Sequence, residues 1–418
     1  VDFKKKPAAD TIERMLRTIE YRGPDSSAYF IDDHAALGIN RLRIIDLKTG
    51  DQPLFNEDKT ICVVFNGEIY NHLDLRKKLQ QRNHHFTTHT DSEVLVHLYE
   101  EYHEKMVTYL EGMFAFAIWD MHKHQLFLAR DRFGIKPLYF GKFDHSFVFG
   151  SEPKVLLTNQ SSHSINHDSI RMFLLLGYIP GNESAWDQVH KLLPGHAITL
   201  SEHHQTIKRY WQLPIKTNPP HSKPNLEELE SILQHSVTSQ LMADVPVGVF
   251  LSGGIDSSLI AHFASLHSNT KLKTFSVSFN EESYDESSYS EQVAKHLHTD
   301  HSSFKFTADD FVTLYPHLTS LLDEPLGDAS LFPTYFLAKQ ARKRVTVCLS
   351  GEGGDELFGG YQTYQAYHYA QFLSHIPPVL LRVMGTIPAN SATNIPLRDK
   401  IENFRKGLNY TDTTRHLF

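Results

Sequence analysis

An apolar run, Val247-Gly248-Val249-Phe250-Leu251, breaks straight into Ser252-Gly253-Gly254. It then becomes a pattern with Leu259, Ile260, Phe263 and Ala264 on one helical face. A strand that turns through two glycines into a helix restricts the fold severely, because a parallel partner strand can be reached only by such a crossover. The following residues supply the partners. Phe275, Val277 and Phe279 alternate with polar residues as a strand does, Tyr289 through Leu297 has helical spacing, and Val345-Thr346-Val347-Cys348-Leu349 is a further β-branched run. Strand, helix, strand, helix, strand reads as βαβ units on a parallel α/β sheet. Ligands of such sheets sit at the carboxyl ends of the strands.

The turn itself, Leu251-Ser252-Gly253-Gly254-Ile255-Asp256-Ser257-Ser258, has the chemistry of an anion cradle. Glycine lets the backbone approach a ligand closely. The N–H groups of a helix start and the hydroxyls of Ser252, Ser257 and Ser258 can hold phosphate oxygens. Asp256 beside them suits a magnesium ligand. The Gly-Lys-Ser/Thr ending of a Walker loop is absent. The segment fits instead SGGxDS, the pyrophosphate-binding signature of enzymes that split ATP between its α and β phosphates. A plain Gly-Ser turn is the competing reading. A second glycine-rich segment, Leu349-Ser350-Gly351-Glu352-Gly353-Gly354-Asp355-Glu356-Leu357-Phe358-Gly359-Gly360-Tyr361, also follows a strand. Acids among glycines suit a metal–phosphate site, since carboxylate and phosphate need a cation between them. The alternative there is an acidic surface loop.

The chain has 418 residues, enough for two or three domains. Its clearest break is the proline-rich stretch 217–225, read as a linker between 1–216 and 226–418. The first part mixes short strands with a few helices. Ala115 to Trp119 and Gln125 to Ala129 form an expected hairpin across Asp120 to His124, Val64-Phe65 and Phe147 to Phe149 are further strand candidates, and Asp91 to Glu104 has helical spacing. That pattern predicts an antiparallel α+β layered fold. A net charge of −8 argues against a nucleic-acid partner, and no apolar run approaches a membrane span. Two cysteines, Cys62 and Cys348, are too few for a disulfide framework and point to a reducing, cytoplasmic setting. The 27 histidines include pairs such as His84-His85 and His203-His204, but none has the partner spacing of a zinc site.

Taken together the motifs resemble the glutamine-hydrolysing asparagine synthetase family of class II glutamine amidotransferases. The first part carries Tyr21-Arg22-Gly23-Pro24-Asp25, Asn40-Arg41-Leu42, Asn66-Gly67-Glu68-Ile69-Tyr70-Asn71, Thr90-Asp91-Ser92-Glu93 and Ala129-Arg130-Asp131-Arg132-Phe133-Gly134-Ile135-Lys136-Pro137-Leu138-Tyr139, in family order. The resemblance implies an N-terminal-nucleophile αββα sandwich followed by an adenine-nucleotide α-hydrolase-like parallel sheet.

It further implies a glutamine pocket. Arg41 would hold the substrate carboxylate, Asp91 its amino group, Asn66 and Gly67 would form the oxyanion hole, and Glu68 would complete the wall. ATP would be bound by Leu251, Ser252, Gly253, Gly254, Asp256, Ser257, Val277, Ser350 and Gly351. Asp256 and Asp355 would hold magnesium, and Glu352 would assist the acyl-adenylate step. The implied reaction amidates aspartate through β-aspartyl-AMP with glutamine-derived ammonia, releasing AMP and pyrophosphate, in a protein that assembles as a homodimer. Relatives that amidate a sugar acid or a peptide keep both loops, and a non-catalytic remnant or regulatory partner is the rival from another class.

Two departures stand out. The family's nucleophile is a cysteine made N-terminal by Met removal, whereas Val1-Asp2-Phe3 resembles the end of the family's first strand without its Cys-Gly-Ile opening. The 418 residues are therefore expected to lack glutaminase activity. The family's adenylation lysine is expected beyond Phe418, since Lys400 and Lys406 stand too close to the acidic loop.

Overall fold

The computed structural model describes residues 1–160, 162–214, 225–268, 270–361 and 363–364. Most of the expected linker, together with Lys400 and Lys406, lies outside the described residues. Two compact units are present: Val1–Val245 with Leu318–Ala329, and Pro246–His317 with the described residues from Ser330 onward. The helix Leu226–Gln240 follows the proline-rich stretch yet belongs to the first unit. Its start is set locally, by Asn225 accepting a hydrogen bond from the Glu228 N–H.

The first unit is built on alternation. Along the strand Ile61–Ile69, Val63 and Phe65 face one core while Cys62 and Val64 face another. Phe116 and Ile118 against Ala117 and Trp119 repeat this on Gly112–Asp120. A sheet buried on both faces must be covered twice. On one side lie the helices His72–Gln80 and Val94–Tyr102, through Leu75, Leu79, Leu95 and Leu98. On the other lie further strands, through Leu37, Phe140 and Phe147. The six-stranded antiparallel sheet runs in the order His204–Arg209, His196–Ser201, Gln125–Arg130, Gly112–Asp120, Ile61–Ile69, Leu54–Phe55. The second strand layer comprises Ala36–Arg41 with Ser26–Ile31, and Tyr139–Phe143 with Ser146–Gly150 and Val189–Lys191. Met15 of the helix Ala9–Thr18, Ile19 directly after it, and Val155 of the helix Pro153–Leu157 pack on the outer face of that layer. The result is the four-layer αββα sandwich.

Leu318–Ala329 is anchored in this unit by two acids. Asp323 accepts from the Lys154 N–H at 2.7 Å, and Glu324 accepts from the Tyr139 hydroxyl at 2.9 Å and the Ala185 N–H at 2.8 Å.

The second unit holds a four-stranded parallel sheet in the order Asp300–Lys305, Lys273–Ser278, Val247–Phe250, Val347–Leu349. In chain order this is third, second, first, fourth, so the winding direction reverses between Val247–Phe250 and Val347–Leu349. Leu337 and Ala341 of the helix Leu331–Ala341 cover the sheet at Phe275. The expected helix after the first loop is present as Ile255–His267, but its buried face carries Ala261, Phe263 and Ala264, while Leu259 is exposed. Among the described residues no helix is long and apolar enough to cross a membrane.

Candidate active sites

A cavity of about 510 Å³ opens between the strand layers of the first unit, and Arg41, Asn66, Gly67, Glu68 and Asp91 all line it. These residues come from distant positions in the chain, and the sandwich brings them together. Arg41 is 7% exposed and is held from behind: its guanidinium donates to the carbonyls of Ile45 (2.8 Å) and Asp46 (3.0 Å) and to the Asp51 carboxylate (3.0 Å). Both N–H groups on Nη2 and one on Nη1 are thus committed, which leaves the Nε–H and one Nη1–H, on different sides of the guanidinium, as single donors to a substrate carboxylate. Gly50 lies so close that a Cβ there would come within 2.7 Å of the guanidinium.

Asn66-Gly67 sits in mid-strand, paired with Ala115 and Phe114. A Cβ at Gly67 would fall 2.1 Å from the Met113 carbonyl oxygen, so only glycine lets the neighbouring strand approach this closely. The helix expected from Asp91 begins instead at Val94. The residues before it are drawn into other bonds: Asp91 accepts from the distant Ile69 N–H at 2.8 Å, and Glu93 accepts from the N–H and hydroxyl of both Thr87 and Thr88. Side-chain bonds of this kind compete with the helix ladder.

Glu68 and Asp91 both line the cavity, and each is buried near the other's charge. Burial, then the neighbouring Asp91 charge, pushes the Glu68 carboxyl up to about 9, and burial raises that of Asp91 as well. Two buried acids of this kind hold one proton between them. Lys136 is drawn to the same place, and burial lowers its pKa.

Reading the sequence did not single out Lys136 within its motif. The structure shows what the rest of that motif does. Asp131 is 1% exposed and accepts from four N–H groups, those of Phe114, Phe133, Ile135 and Lys136. Arg130 donates to the carbonyls of Gly134, Lys136 and Leu192. The motif is a braced loop that presents Lys136 to the cavity.

The pH dependence of stability follows from Glu68. Its folded pKa lies above the ordinary value of 4.5, so the folded protein binds the extra proton more tightly than the unfolded chain. The stabilisation is complete below about pH 4.5 and is lost as pH rises through about 9. Glu68→Gln should flatten the decline in Tm across that window, with separation from wild type of roughly 2–4 °C for each kcal/mol involved. Calorimetric scans at several pH values test this, and parallel curves for the two proteins would refute the shared proton.

Neither cysteine is placed as a nucleophile. Cys62 is fully buried opposite Trp119, where burial pushes its thiol far above the usual range. Burial likewise pushes the Cys348 thiol to about 12. Val1 lies at the cavity wall with its amine donating to the Phe147 carbonyl at 2.7 Å.

In the second unit both glycine-rich loops leave the two strands that flank the reversal of winding. That is where open α/β sheets form a ligand crevice. Gly253 has φ of +90° and packs its Cα against Tyr289 and Ser290, a conformation and a spacing that favour glycine. The Ser252 and Ser257 hydroxyls bond to each other at 2.9 Å, and the Ser252 hydroxyl accepts from the Gly254 N–H at 3.3 Å. Among the described residues no side chain caps the helix Ile255–His267, and the N–H groups of a helix start suit an anion. The buried Ser258 hydroxyl has no hydrogen-bond partner among the described residues.

The second loop lies directly against the first. A Cβ at Gly354 would fall 2.5 Å from the Asp256 carboxyl carbon, and one at Gly351 would fall 2.9 Å from the Ser257 nitrogen. The Asp355 carboxylate is turned onto Gly360, and Glu352 is exposed. Ser350 and Gly351 follow the strand Val347–Leu349, and Val277 lies near the end of Lys273–Ser278. Glycine at 351 and 354 leaves room for Asp256, whose carboxylate offers the oxygen donor that magnesium favours, while Asp355 is turned to Gly360 instead.

A cavity with a carboxylate fork and paired acids on an αββα sandwich, in one chain with a nucleotide-type parallel sheet, has the make-up of an ATP-dependent glutamine amidotransferase. Comparison with known proteins narrows the class. Residues 1–211 match the glutamine amidotransferase domain family and residues 228–416 the asparagine synthase family. The chain is 35% identical to asparagine synthetase (glutamine-hydrolysing) 1 of Bacillus subtilis, over all of this chain and 71% of that protein. It is 36% identical to putative asparagine synthetase (glutamine-hydrolysing) 2 of Methanocaldococcus jannaschii, over 94% of this chain and 81% of that one. A putative asparagine synthetase of Mycobacterium bovis is 34% identical over 98% of this chain and 70% of its own length. The chain belongs to the glutamine-hydrolysing asparagine synthetase family.

Proposed function

We propose that the protein forms asparagine from aspartate, ATP and the amide nitrogen of glutamine. The observation that carries this reading is the pair of glycine-rich loops packed on one another where the sheet reverses its winding, with Asp256 seated on Gly354. In the proposed sequence an oxygen of the aspartate side-chain carboxylate attacks the α-phosphorus of ATP. The bond to the β-phosphate oxygen breaks, and pyrophosphate leaves. Ammonia then attacks the acyl carbon of β-aspartyl-AMP, and AMP departs with the bonding electron pair.

The N–H groups of Ile255 and Asp256 and the serine hydroxyls would hold phosphate oxygens, as preorganised donors in a site of low dielectric. Magnesium, when bound by Asp256 and Asp355, neutralises charge on the phosphates. Glu352 is the candidate for assisting turnover of the acyl-adenylate. Leu251, Val277, Ser350 and Gly351 would complete the nucleotide pocket. The stretch 217–225 is proposed as the boundary between the glutaminase part, 1–216, and the synthetase part, 226–418. The two free thiols fit a reducing, cytoplasmic setting.

In the first unit Arg41 would take the glutamine α-carboxylate, and the Glu68–Asp91 pair its ammonium group. Binding that cation favours the doubly ionised pair, so glutamine binding should release a proton. With Cys62 and Cys348 both unsuited to attack, a polypeptide of these 418 residues should bind glutamine yet release no glutamate above background. Coupled detection of glutamate checks this, and steady turnover would overturn it. The acceptor is tested by assaying pyrophosphate release with aspartate, glutamate, a sugar acid and a carboxyl-bearing peptide, using ammonium as nitrogen donor. Release dependent on aspartate alone is expected, and preference for another acid would move the assignment.

A further inference from the structure

We propose that Glu57, His84, His97 and Glu100 form a binding site for a divalent transition-metal ion, with zinc the best match, in the first unit and outside the glutamine cavity. Their candidate ligand atoms all lie within 4.8 Å of one another, and none of the four residues lines the cavity. His97 Nδ1 is 3.2 Å from Glu100 Oε2 and 3.4 Å from Glu57 Oε2. His84 Nδ1 is 3.4 Å from Glu100 Oε2 and 3.6 Å from Glu57 Oε1. With metal–ligand bonds of about 2.0 Å, the edge of a coordination tetrahedron is roughly 3.3 Å. Most of these separations are longer than ordinary N–H···O hydrogen bonds, which span about 2.7–3.2 Å. The two to Glu100 Oε2 bracket that edge for one oxygen set between both rings, while Glu57 presents a different oxygen to each ring.

The supporting bonds aim the ligands. His84 Nε2 donates to Glu101 at 3.1 Å, and Arg82 pairs with the same carboxylate. A carboxylate behind the imidazole leaves the proton on Nε2 and the Nδ1 lone pair toward the cluster. Glu100 Oε1 accepts from Asn56 at 2.8 Å, and Glu57 Oε1 accepts from the His85 N–H at 2.8 Å. His97 is 1% exposed, and its Nε2 has no hydrogen-bond partner among the described residues, so the cluster is the polar company of that buried ring. Two carboxylates and two neutral imidazoles balance a dication. Imidazole with carboxylate in a tetrahedral set is the donor pattern of zinc.

His97 and Glu100 are one turn apart on the helix Val94–Tyr102, His84 follows the helix His72–Gln80, and Glu57 follows the strand Leu54–Phe55. An ion here would tie two segments of the helical layer to the turn after a sheet strand, so binding should raise Tm.

The experiment is titration of the purified chain with zinc chloride against a chromophoric chelator, with Tm read alongside. The expected result is one zinc per wild-type chain and a rise in Tm. His84→Gln and Glu57→Gln should each weaken binding at least about 100-fold and abolish the rise, and Glu101→Gln, behind the ligand, should weaken it roughly 10-fold. Cobalt(II) should give the strong visible absorption of a tetrahedral ion in wild type only. His84 and Glu57 lie toward the surface, so the test does not depend on a His97 variant folding. With 27 histidines in the chain, weak adventitious binding is the background. Zinc affinity equal in wild type and the His84→Gln/Glu57→Gln double variant would overturn the site.

Discussion

Asp256→Asn, or Asp355→Asn, should lower aspartate-dependent pyrophosphate release by about 100-fold or more while the protein still folds. Asp256 lies in the first turn of Ile255–His267, directly after the anion cradle, and its carboxyl group rests on Gly354 of the second loop. An amide keeps that shape but removes the charge that would hold a cation against the leaving pyrophosphate. Charge stabilisation of this kind is worth about 3 kcal/mol or more at the transition state. Neither side chain belongs to the apolar core of the second unit, which is formed by Phe275, Leu337, Ala341 and Val345. Circular dichroism and Tm should therefore stay near wild type. The comparison is made by coupled pyrophosphate assay on the protein as expressed from its gene. Near-normal release from either variant would refute the metal assignment, whereas unfolding of both would mark the acidic loop as structural.

Arg41→Lys should weaken glutamine binding by roughly 10- to 150-fold, although charge is conserved. The guanidinium serves several partners at once: it is committed to the carbonyls of Ile45 and Asp46 and to Asp51, and only its Nε–H and one Nη1–H are left for substrate. An ammonium group has three donors on one atom and cannot reach them all. Losing charge-assisted hydrogen bonds costs about 1.5–3 kcal/mol. Part of that cost falls on the protein, since the Ile45 and Asp46 carbonyls lose buried donors. Calorimetric titration with glutamine, read beside the Tm of each protein, separates the two. Unchanged affinity would place the substrate carboxylate elsewhere in the cavity.

The backbone form of the two glycine-rich loops was legible from local sequence. The turn through Gly253 and Gly254, the helix start at Ile255 and the second glycine run are determined by residues within a few positions of one another, because turn geometry and helix capping are short-range. Alternation along Ile61–Ile69 and Gly112–Asp120 likewise dictates a sheet covered on both faces, whatever covers it.

Register and packing between distant segments were not written in any window. The tertiary structure joined the locally bonded Arg130-Asp131 loop to Phe114 and Leu192 and made Lys136 a cavity residue. It set Glu68 against Asp91 so that burial and like charge force one proton on the pair. It tied Asp91, ahead of the helix start at Val94, to the Ile69 N–H, 22 positions away. It also gathered His84 and His97, which are 13 positions apart and lack any motif spacing, around two glutamates. Such groupings depend on where whole strands and helices come to rest, and that is decided by burial of apolar faces over the entire unit.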